Sequence, residues 1–223
     1  MIEDNYDEDK IACDICLYTD DFDLDELVIC SLCQVGVHQT CYGSELVSDT
    51  FDIYKEEDWF CARCRDLIED PKCSFVDEKF ACAFCPDAQG AIKEVKYCGE
   101  TFWCHVSCVN WLCNIWFNDS NKDKVTGDMD KYRSRQRQRC SSCRLEGGLF
   151  SCDQPGCSKK YHVRCAAKLG VIYSYDLMNE DYKTLSDPEG KNIYCNYHRR
   201  QMLKAAKNAQ IAQLKAKPVK RKF

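Results

Sequence analysis

The residues of this chain best suited to chemistry are its twenty cysteines and four histidines. Five C-x2-C pairs stand out: Cys13/Cys16, Cys30/Cys33, Cys61/Cys64, Cys82/Cys85 and Cys140/Cys143. Every histidine lies one such step from a cysteine: His38 and Cys41, His105 and Cys108, His162 and Cys165, Cys195 and His198. Two thiolates on a tight turn supply half of a tetrahedral Zn²⁺ site, and imidazole is the other common ligand. Disulfide bonding is the competing use of so many cysteines. It needs no histidine, and cysteines two residues apart chelate more readily than they bridge. The acidic start, MIEDNYDEDK, lacks the apolar stretch of a secretory signal, which predicts a reducing compartment where thiols stay free or bind metal. The spacing favours zinc.

Read from left to right, the ligands fall into three sets. The first holds eight: Cys13, Cys16, Cys30, Cys33, His38, Cys41, Cys61 and Cys64. The second holds four: Cys82, Cys85, His105 and Cys108. The third again holds eight: Cys140, Cys143, Cys152, Cys157, His162, Cys165, Cys195 and His198. Twenty ligands suffice for five structural zinc ions, four to each. Cys73, Cys98, Cys104 and Cys113 are left over and read as small packing hydrophobes, with Cys104 an alternative ligand to its neighbour His105. Five Zn²⁺ and sixteen thiolates together shift the formal charge of −5 by a further −6.

The order of the first set, with Trp59 two residues before Cys61, resembles a PHD finger. The second set reads as a zinc knuckle in C-P-D-A-Q-G-A-I-K (85–93) and W-C-H-V-S-C-V-N-W (103–111). The third set, with Y-H-V-R-C-A-A-K-L-G (161–170) and Y-C-N-Y-H (194–198), resembles an atypical second PHD finger that ends on His. The whole order resembles the PZP module of Jade and bromodomain-PHD scaffold subunits of MYST-type acetyltransferase complexes and of leukaemia-fusion PHD proteins. The resemblance implies cross-brace pairing. Cys13, Cys16, His38 and Cys41 would share one metal, and Cys30, Cys33, Cys61 and Cys64 another. In the third set the pairing would be Cys140, Cys143, His162 and Cys165, then Cys152, Cys157, Cys195 and His198.

The elements that must position these ligands are short. The expected fold is a series of small zinc-stabilised α+β modules: a cross-brace PHD finger (1–70), a zinc knuckle (71–125), a second cross-brace PHD finger (126–200) and a basic helical tail (201–223). Each lobe has too few apolar residues for a core of its own, so metal supplies much of the folding energy. Leu27–Ile29 reads as a strand, and Val106–Trp111 and Val163–Leu169 as short helices. Residues 200–217 have strong helix propensity up to Pro218. Tyr6, Trp103, Trp111, Trp116 and Phe117 are expected to pack between lobes.

Two surfaces follow from the charge pattern. Residues 1–28 hold eleven acids and one Lys, whereas residues 199–223 hold nine Lys or Arg and no acid. In the PHD family the strand before the third ligand accepts a histone H3 tail as an added strand, and nearby acids select Lys or Arg. Here that strand is Leu27, Val28 and Ile29, with Asp20, Asp21, Asp23, Asp25 and Glu26 beside it and Trp59 behind. Acids rather than an aromatic cage favour unmodified lysine over trimethyl-lysine. The stretch 48–58, S-D-T-F-D-I-Y-K-E-E-D, lacks the Pro/Gly turn that holds the tail amine in the family, so Glu56, Glu57 or Asp58 would rebuild that pocket or an internal segment would bind. Before the third set, Arg133, Arg135, Arg137 and Arg139 alternate, as on one face of a strand. With Lys159, Lys160, Arg199 and Arg200 they suit the phosphates of double-stranded DNA or a nucleosome, against the alternative of a solvated strand with Arg–carboxylate pairs.

The reading is a nuclear chromatin-reader module, part of a histone acetyltransferase or methyltransferase complex, with K-P-V-K-R-K (217–222) as a nuclear localisation signal. Closed four-ligand zinc sites leave no position for a catalytic water, so no enzyme is expected. No run of 18 apolar residues is present, so no membrane partner is expected either. The rivals are a RING-like ubiquitin ligase, which shares the cross-brace, the reader portion of a longer modifying enzyme, and a scaffold without a ligand.

Overall fold

The polypeptide forms short antiparallel hairpins and starts its α-helices directly after metal-ligand residues. The computed structural model describes residues 11–19, 25–43, 58–70, 72–112, 114–129, 137–171, 194–202, 204, 205 and 208. Four hairpins follow one another. β1 (Leu27–Ile29) pairs with β2 (Gly36–His38), and β3 (Ile92–Tyr97) with β4 (Glu100–His105). β5 (Ile115–Phe117) pairs with β6 (Val125–Gly127), and β7 (Phe150–Ser151) with β8 (Lys160–Tyr161). The helices are α1 (Gln39–Tyr42), α2 (Ala62–Glu69), α3 (Val106–Trp111) and α4 (Val163–Lys168). Residues 196–202 are also helical, whereas positions 209–217 of the expected tail helix lie outside the described residues. No helix among the described residues is long and apolar enough to cross a membrane.

Two local motifs recur because ligand spacing dictates them. In the first, a C-x2-C pair forms a turn. The amide after the second cysteine closes on the carbonyl of the first: Leu17 to Cys13 at 2.8 Å, Gln34 to Cys30 at 2.9 Å and Arg144 to Cys140 at 3.0 Å. Those three residues have φ of 69°, 61° and 67°, a left-handed conformation that lets the chain reverse around the sulfurs. In the second motif, a ligand occupies the helix N-cap and the next ligand lies three residues on, so both face the same point. His38 and His105 end their strands in this way, His162 directly follows β8, and Cys61 starts α2 likewise. Helices of four to eight residues are unstable alone, so metal and packing must hold them.

The cores cross the lobes. One cluster joins the first finger to Ala91 and Val106 of the knuckle. Another runs from Phe84, Val95 and Val125 through Met129 into Leu149, Phe150, Tyr161 and Val171. A small third cluster sets Phe80 edge-on to Trp103, 4.8 Å between ring centres, over Ile92. Phe117 packs against both large clusters, and Trp111 against the second. Trp116 does not follow the expectation: it is 55 % exposed, because strand alternation sends it to solvent while Ile115 turns inward. Tyr6 lies outside the described residues.

Candidate metal centres and binding surfaces

Five groups of four side chains converge, their ligand atoms all within 4.8 Å of one another. They are Cys13, Cys16, His38 and Cys41; Cys30, Cys33, Cys61 and Cys64; Cys82, Cys85, His105 and Cys108; Cys140, Cys143, His162 and Cys165; and Cys152, Cys157, Cys195 and His198. In both fingers, pairs one and three meet, and pairs two and four meet, which is the interleaved arrangement of a cross-brace.

The spacing fits zinc. Tetrahedral Zn²⁺ with bonds of about 2.3 Å to sulfur and about 2.0 Å to nitrogen sets neighbouring sulfurs about 3.8 Å apart and sulfur about 3.5 Å from nitrogen. Cys33 and Cys61 sulfurs lie 3.7 Å apart, and Cys85 and Cys108 sulfurs 3.8 Å apart. Histidine Nδ1 approaches sulfur at 3.2 Å for Cys16–His38, 3.4 Å for Cys85–His105 and Cys143–His162, and 3.5 Å for Cys152–His198. The far nitrogens of two rings are fixed by carbonyls: His105 Nε2–H donates to Gln89 O at 2.6 Å, and His162 Nε2–H to Glu146 O at 3.1 Å. A carbonyl only accepts, so the proton sits on Nε2 and the Nδ1 lone pair faces the sulfurs.

Electrostatics demand the cation. The hydrogen bond from Cys61 pulls the Cys33 thiol down to about 5, while burial drives Cys64 up to about 12. The hydrogen bond to Cys13 likewise pushes Cys16 up to about 11. One thiolate in a set opposes the next, and Zn²⁺ is what allows all of them to ionise together. Backbone amides assist the first cysteine of a set. His38 N–H donates to Cys13 Sγ, Cys61 N–H to Cys30 Sγ and His105 N–H to Cys82 Sγ at 3.4 Å, and Cys195 N–H to Cys152 Sγ at 3.3 Å. Zinc is the cofactor these sets are built to hold.

The left-over cysteines divide. Cys104 is fully buried in the core behind His105, outside every ligand set. Cys73 is partly buried and donates to Asp70 at 3.3 Å. Cys98 departs from the packing expectation: it is exposed at the tip of the β3–β4 hairpin, where Cys98 and Gly99 have φ of 49° and 87°. A two-residue turn with both φ positive matches the twist of the strands it joins. Cys113 lies outside the described residues.

Four cations that the sequence reading passed over bind the lobes together. Arg164, on the first turn of α4, pairs with Asp14 of the first finger and, at 3.4 Å, with Asp87 of the knuckle. Lys168 adds 2.7 Å to Asp87, and Asp14 also accepts the Ala91 amide at 2.8 Å. Burial disfavours the Arg164 charge, but Asp14 and Asp87 outweigh it and raise its pKa. Burial equally opposes the Asp87 charge, yet Lys168, the Gln89 amide and Arg164 hold that carboxyl below its usual range. Arg63, between Cys61 and Cys64, donates to the knuckle's Ala88 carbonyl and lies over the Phe75 ring. Lys93, buried in β3, donates to Asn121 O at 2.7 Å and reaches Asp123 at 3.2 Å and the Tyr42 carbonyl at 3.4 Å. The signal was faint: nothing local marks these cations, because their partners are far away in the chain.

The residues expected from the sequence to take a histone tail are unequally placed. β1 forms one side of a two-stranded sheet; Val28 is buried and Ile29 is 37 % exposed. Asp25 accepts from the Thr40 amide at 2.8 Å and from the Thr40 hydroxyl, so it holds the first turn of α1. Trp59 is a core residue, only 7 % exposed and edge-on to Tyr42 with ring centres 5.5 Å apart, so its ring supports the finger from within. Glu26 and Leu27 flank this region, half-buried. Asp20, Asp21, Asp23, Glu56 and Glu57 lie outside the described residues, and Asp58 is exposed.

On the second finger, Arg137 lies in a turn and Arg139 in a single β-bridge to Glu146 rather than in a continuous strand. Arg139 also lies 3.9 Å from the Glu146 carboxylate, both well exposed, so one of the four arginines has a carboxylate beside it. Arg133 and Arg135 lie outside the described residues. Lys160 donates to Gln138 at 2.7 Å, and Lys159 is exposed. Arg199 is half-buried and donates to the Gly170 carbonyl, anchoring the last helix, whereas Arg200 is exposed.

Comparison with known proteins places this architecture. The family model described as "PHD-zinc-finger like domain" matches residues 80–202, and the PHD-finger model matches residues 24–65. A bromodomain-containing protein homolog of Drosophila melanogaster is 27 % identical over 195 residues, covering 86 % of this chain and 12 % of that protein. The human E3 ubiquitin-protein ligase Jade-2 is 33 % identical over 178 residues, covering 79 % of this chain and 20 % of that protein. The chain thus spans a fifth or less of the length of these two relatives. The crystal structure of zebrafish PHF14-PZP matches with a TM-score of 0.59 at 25 % identity, over 91 % of this chain and 98 % of that one. With ligand order, interleaved clusters and these matches in agreement, the chain belongs to the PHD-zinc-finger-like family and forms a PZP module, a PHD finger, a zinc knuckle and an atypical second PHD finger.

Proposed function

We propose that this module is a nuclear chromatin reader, without catalytic activity of its own, that binds a histone H3 tail on its first finger and nucleosomal DNA on its second, within a histone acetyltransferase or methyltransferase complex. The observation that carries the reading is β1. It is a short strand on one side of a two-stranded sheet, leads directly into Cys30, and follows the acid-rich stretch 20–26 in the sequence. An extended tail adding to that side gains main-chain hydrogen bonds, and carboxylates select a side chain that still carries N–H donors. Unmodified lysine is therefore preferred to trimethyl-lysine. On the second finger, Arg137, Lys159 and Arg200 supply phosphate contacts, together with Arg133 and Arg135 of the alternating stretch, and Arg139 joins them to the extent that phosphate displaces Glu146.

Titration of the zinc-loaded module with H3 tail peptides, unmodified and trimethylated at each lysine, tests the first part. Tighter binding of a trimethylated peptide overturns it. Replacing Arg133, Arg135 and Arg137 with Ala should weaken duplex DNA binding and flatten its salt dependence by about 0.9 per lost phosphate contact. Unchanged affinity and slope, with the zinc count kept, would remove the DNA part. A second reading, ubiquitin transfer, is favoured by the name of the Jade-2 relative and by the cross-brace that RING fingers share. Discharge of ubiquitin from a charged conjugating enzyme by this chain would establish it in place of a reader without activity.

A further inference from the structure

The two central hairpins join side by side. Lys96 of β3 bridges Lys124, just before β6, in parallel, and the Lys96 amide donates to the Asp123 carbonyl at 2.7 Å. On the inner side the Tyr97 hydroxyl donates to the Gly127 carbonyl at 2.9 Å, and Val95 and Val125 share the core. The surface strand order is therefore β4-β3-β6-β5. Pairing fixes which side chains share the outer face: Trp116 opposes Thr126, Asn118 bonds across to Lys124, and Lys124 sits beside Lys96. Trp116, Asn118, Lys124 and Lys96 are all exposed.

Two features of this face call for a ligand. Like charges on adjacent strands destabilise a sheet, and Lys96 and Lys124 form no ion pair among the described residues. Among the described residues Glu94 shares this face of β3 with Lys96, and Asp66, Glu69 and Asp123 line the same hollow beside Lys96 without reaching ion-pair distance of it. Trp116 leaves more than half its surface in water, with Thr126 opposite it across the hairpin, Asn118 next on its own side of the strand and Lys124 diagonal to it. An apolar peptide would want an apolar rim around such a residue. A flat aromatic surface amid amide, hydroxyl and ammonium groups suits an unpaired base with its phosphates. A duplex keeps its bases in the stack and cannot use the ring.

We propose that this outer face binds single-stranded nucleic acid, one unpaired base stacked on Trp116 and flanking phosphates on Lys96 and Lys124. The site is separate from the arginine-bearing second finger. The test is fluorescence anisotropy of labelled ten-nucleotide oligo-dT and oligo-rU on the zinc-loaded chain, with a duplex of equal length as control. Trp116→Ala should weaken single-strand binding about five- to 150-fold, the range for losing one stacked base, and Trp116→Phe should recover most of it. Changing Lys96 and Lys124 to Gln should lower the salt slope by about 1.4, at about 0.7 per phosphate contact. Arg137→Gln should leave single-strand binding within about two-fold, which separates this site from the duplex reading. Comparable loss with dT and rU identifies a base-and-phosphate platform; loss with only one names that strand as the ligand. Unchanged single-strand affinity in Trp116→Ala, or a loss confined to the duplex, overturns the proposal. Trp116 is outside the core, so a retained zinc count in each variant makes the comparison one of binding alone.

Discussion

Arg164→Ala is the change that most directly asks whether the three lobes act as one unit. The side chain is 12 % exposed and stands between Asp14 and Asp87, themselves 18 % and 14 % exposed. Removing one partner of a buried ion pair costs about 3–5 kcal/mol, because the remaining charge stays in a poorly solvated place. Here Asp14 keeps the Ala91 amide and Asp87 keeps Lys168, and both are partly wetted. The cost should fall to about 2–3 kcal/mol by that discount, which for a chain of this size lowers the melting temperature by about 5–10 °C. Arg164→Lys retains the charge but not a fork that reaches two carboxylates, so it should fall between the two. The assay is thermal unfolding in zinc-buffered solution with the metal content measured. Hydrogen exchange should quicken at Ala91, whose amide is held by Asp14. A double-mutant cycle with Asp14→Asn completes it. A loss under about 0.5 kcal/mol, or strictly additive effects of the two substitutions, would refute the coupling.

Chelation of zinc should abolish the helical and strand signals, and native mass spectrometry should count five metals in the loaded chain, one for each converged set. Cys85→Ser should reduce that count to four, whereas Cys98→Ser should leave it at five. Cys98→Asn should raise stability by about 0.5 kcal/mol, since Asn tolerates the left-handed conformation this turn demands; a fall in the denaturation midpoint would count against the turn assignment. Lys93→Met should cost about 1–3 kcal/mol by stranding the Asn121 carbonyl, read as a shift in the urea midpoint at constant slope. Gly127→Ala should lower expression of soluble, zinc-loaded protein sharply. Its φ is 118°, and a Cβ there would meet the Asn114 carbonyl and lie 2.8 Å from Ile115 Cα, which backbone cannot vacate.

The sequence by itself determined the metal chemistry, the three sets of ligands and, through their resemblance to a known module, how the sets interleave. It also determined Leu27–Ile29 as a strand and Val106–Trp111 as a helix. These were legible because they are local. A C-x2-C or H-x2-C pair fixes its own turn or helix start within four residues, whatever surrounds it. Tertiary structure alone decided what lies between the lobes. Arg164 meets a carboxylate 150 positions away, Lys93 is buried in a strand, and Arg139 meets Glu146. It also turned Trp59 inward and Trp116 outward. Aromatic and charged side chains carry no spacing rule that names their partners. Their burial depends on which surfaces the five metal sets bring together, and that is settled only when the whole chain closes.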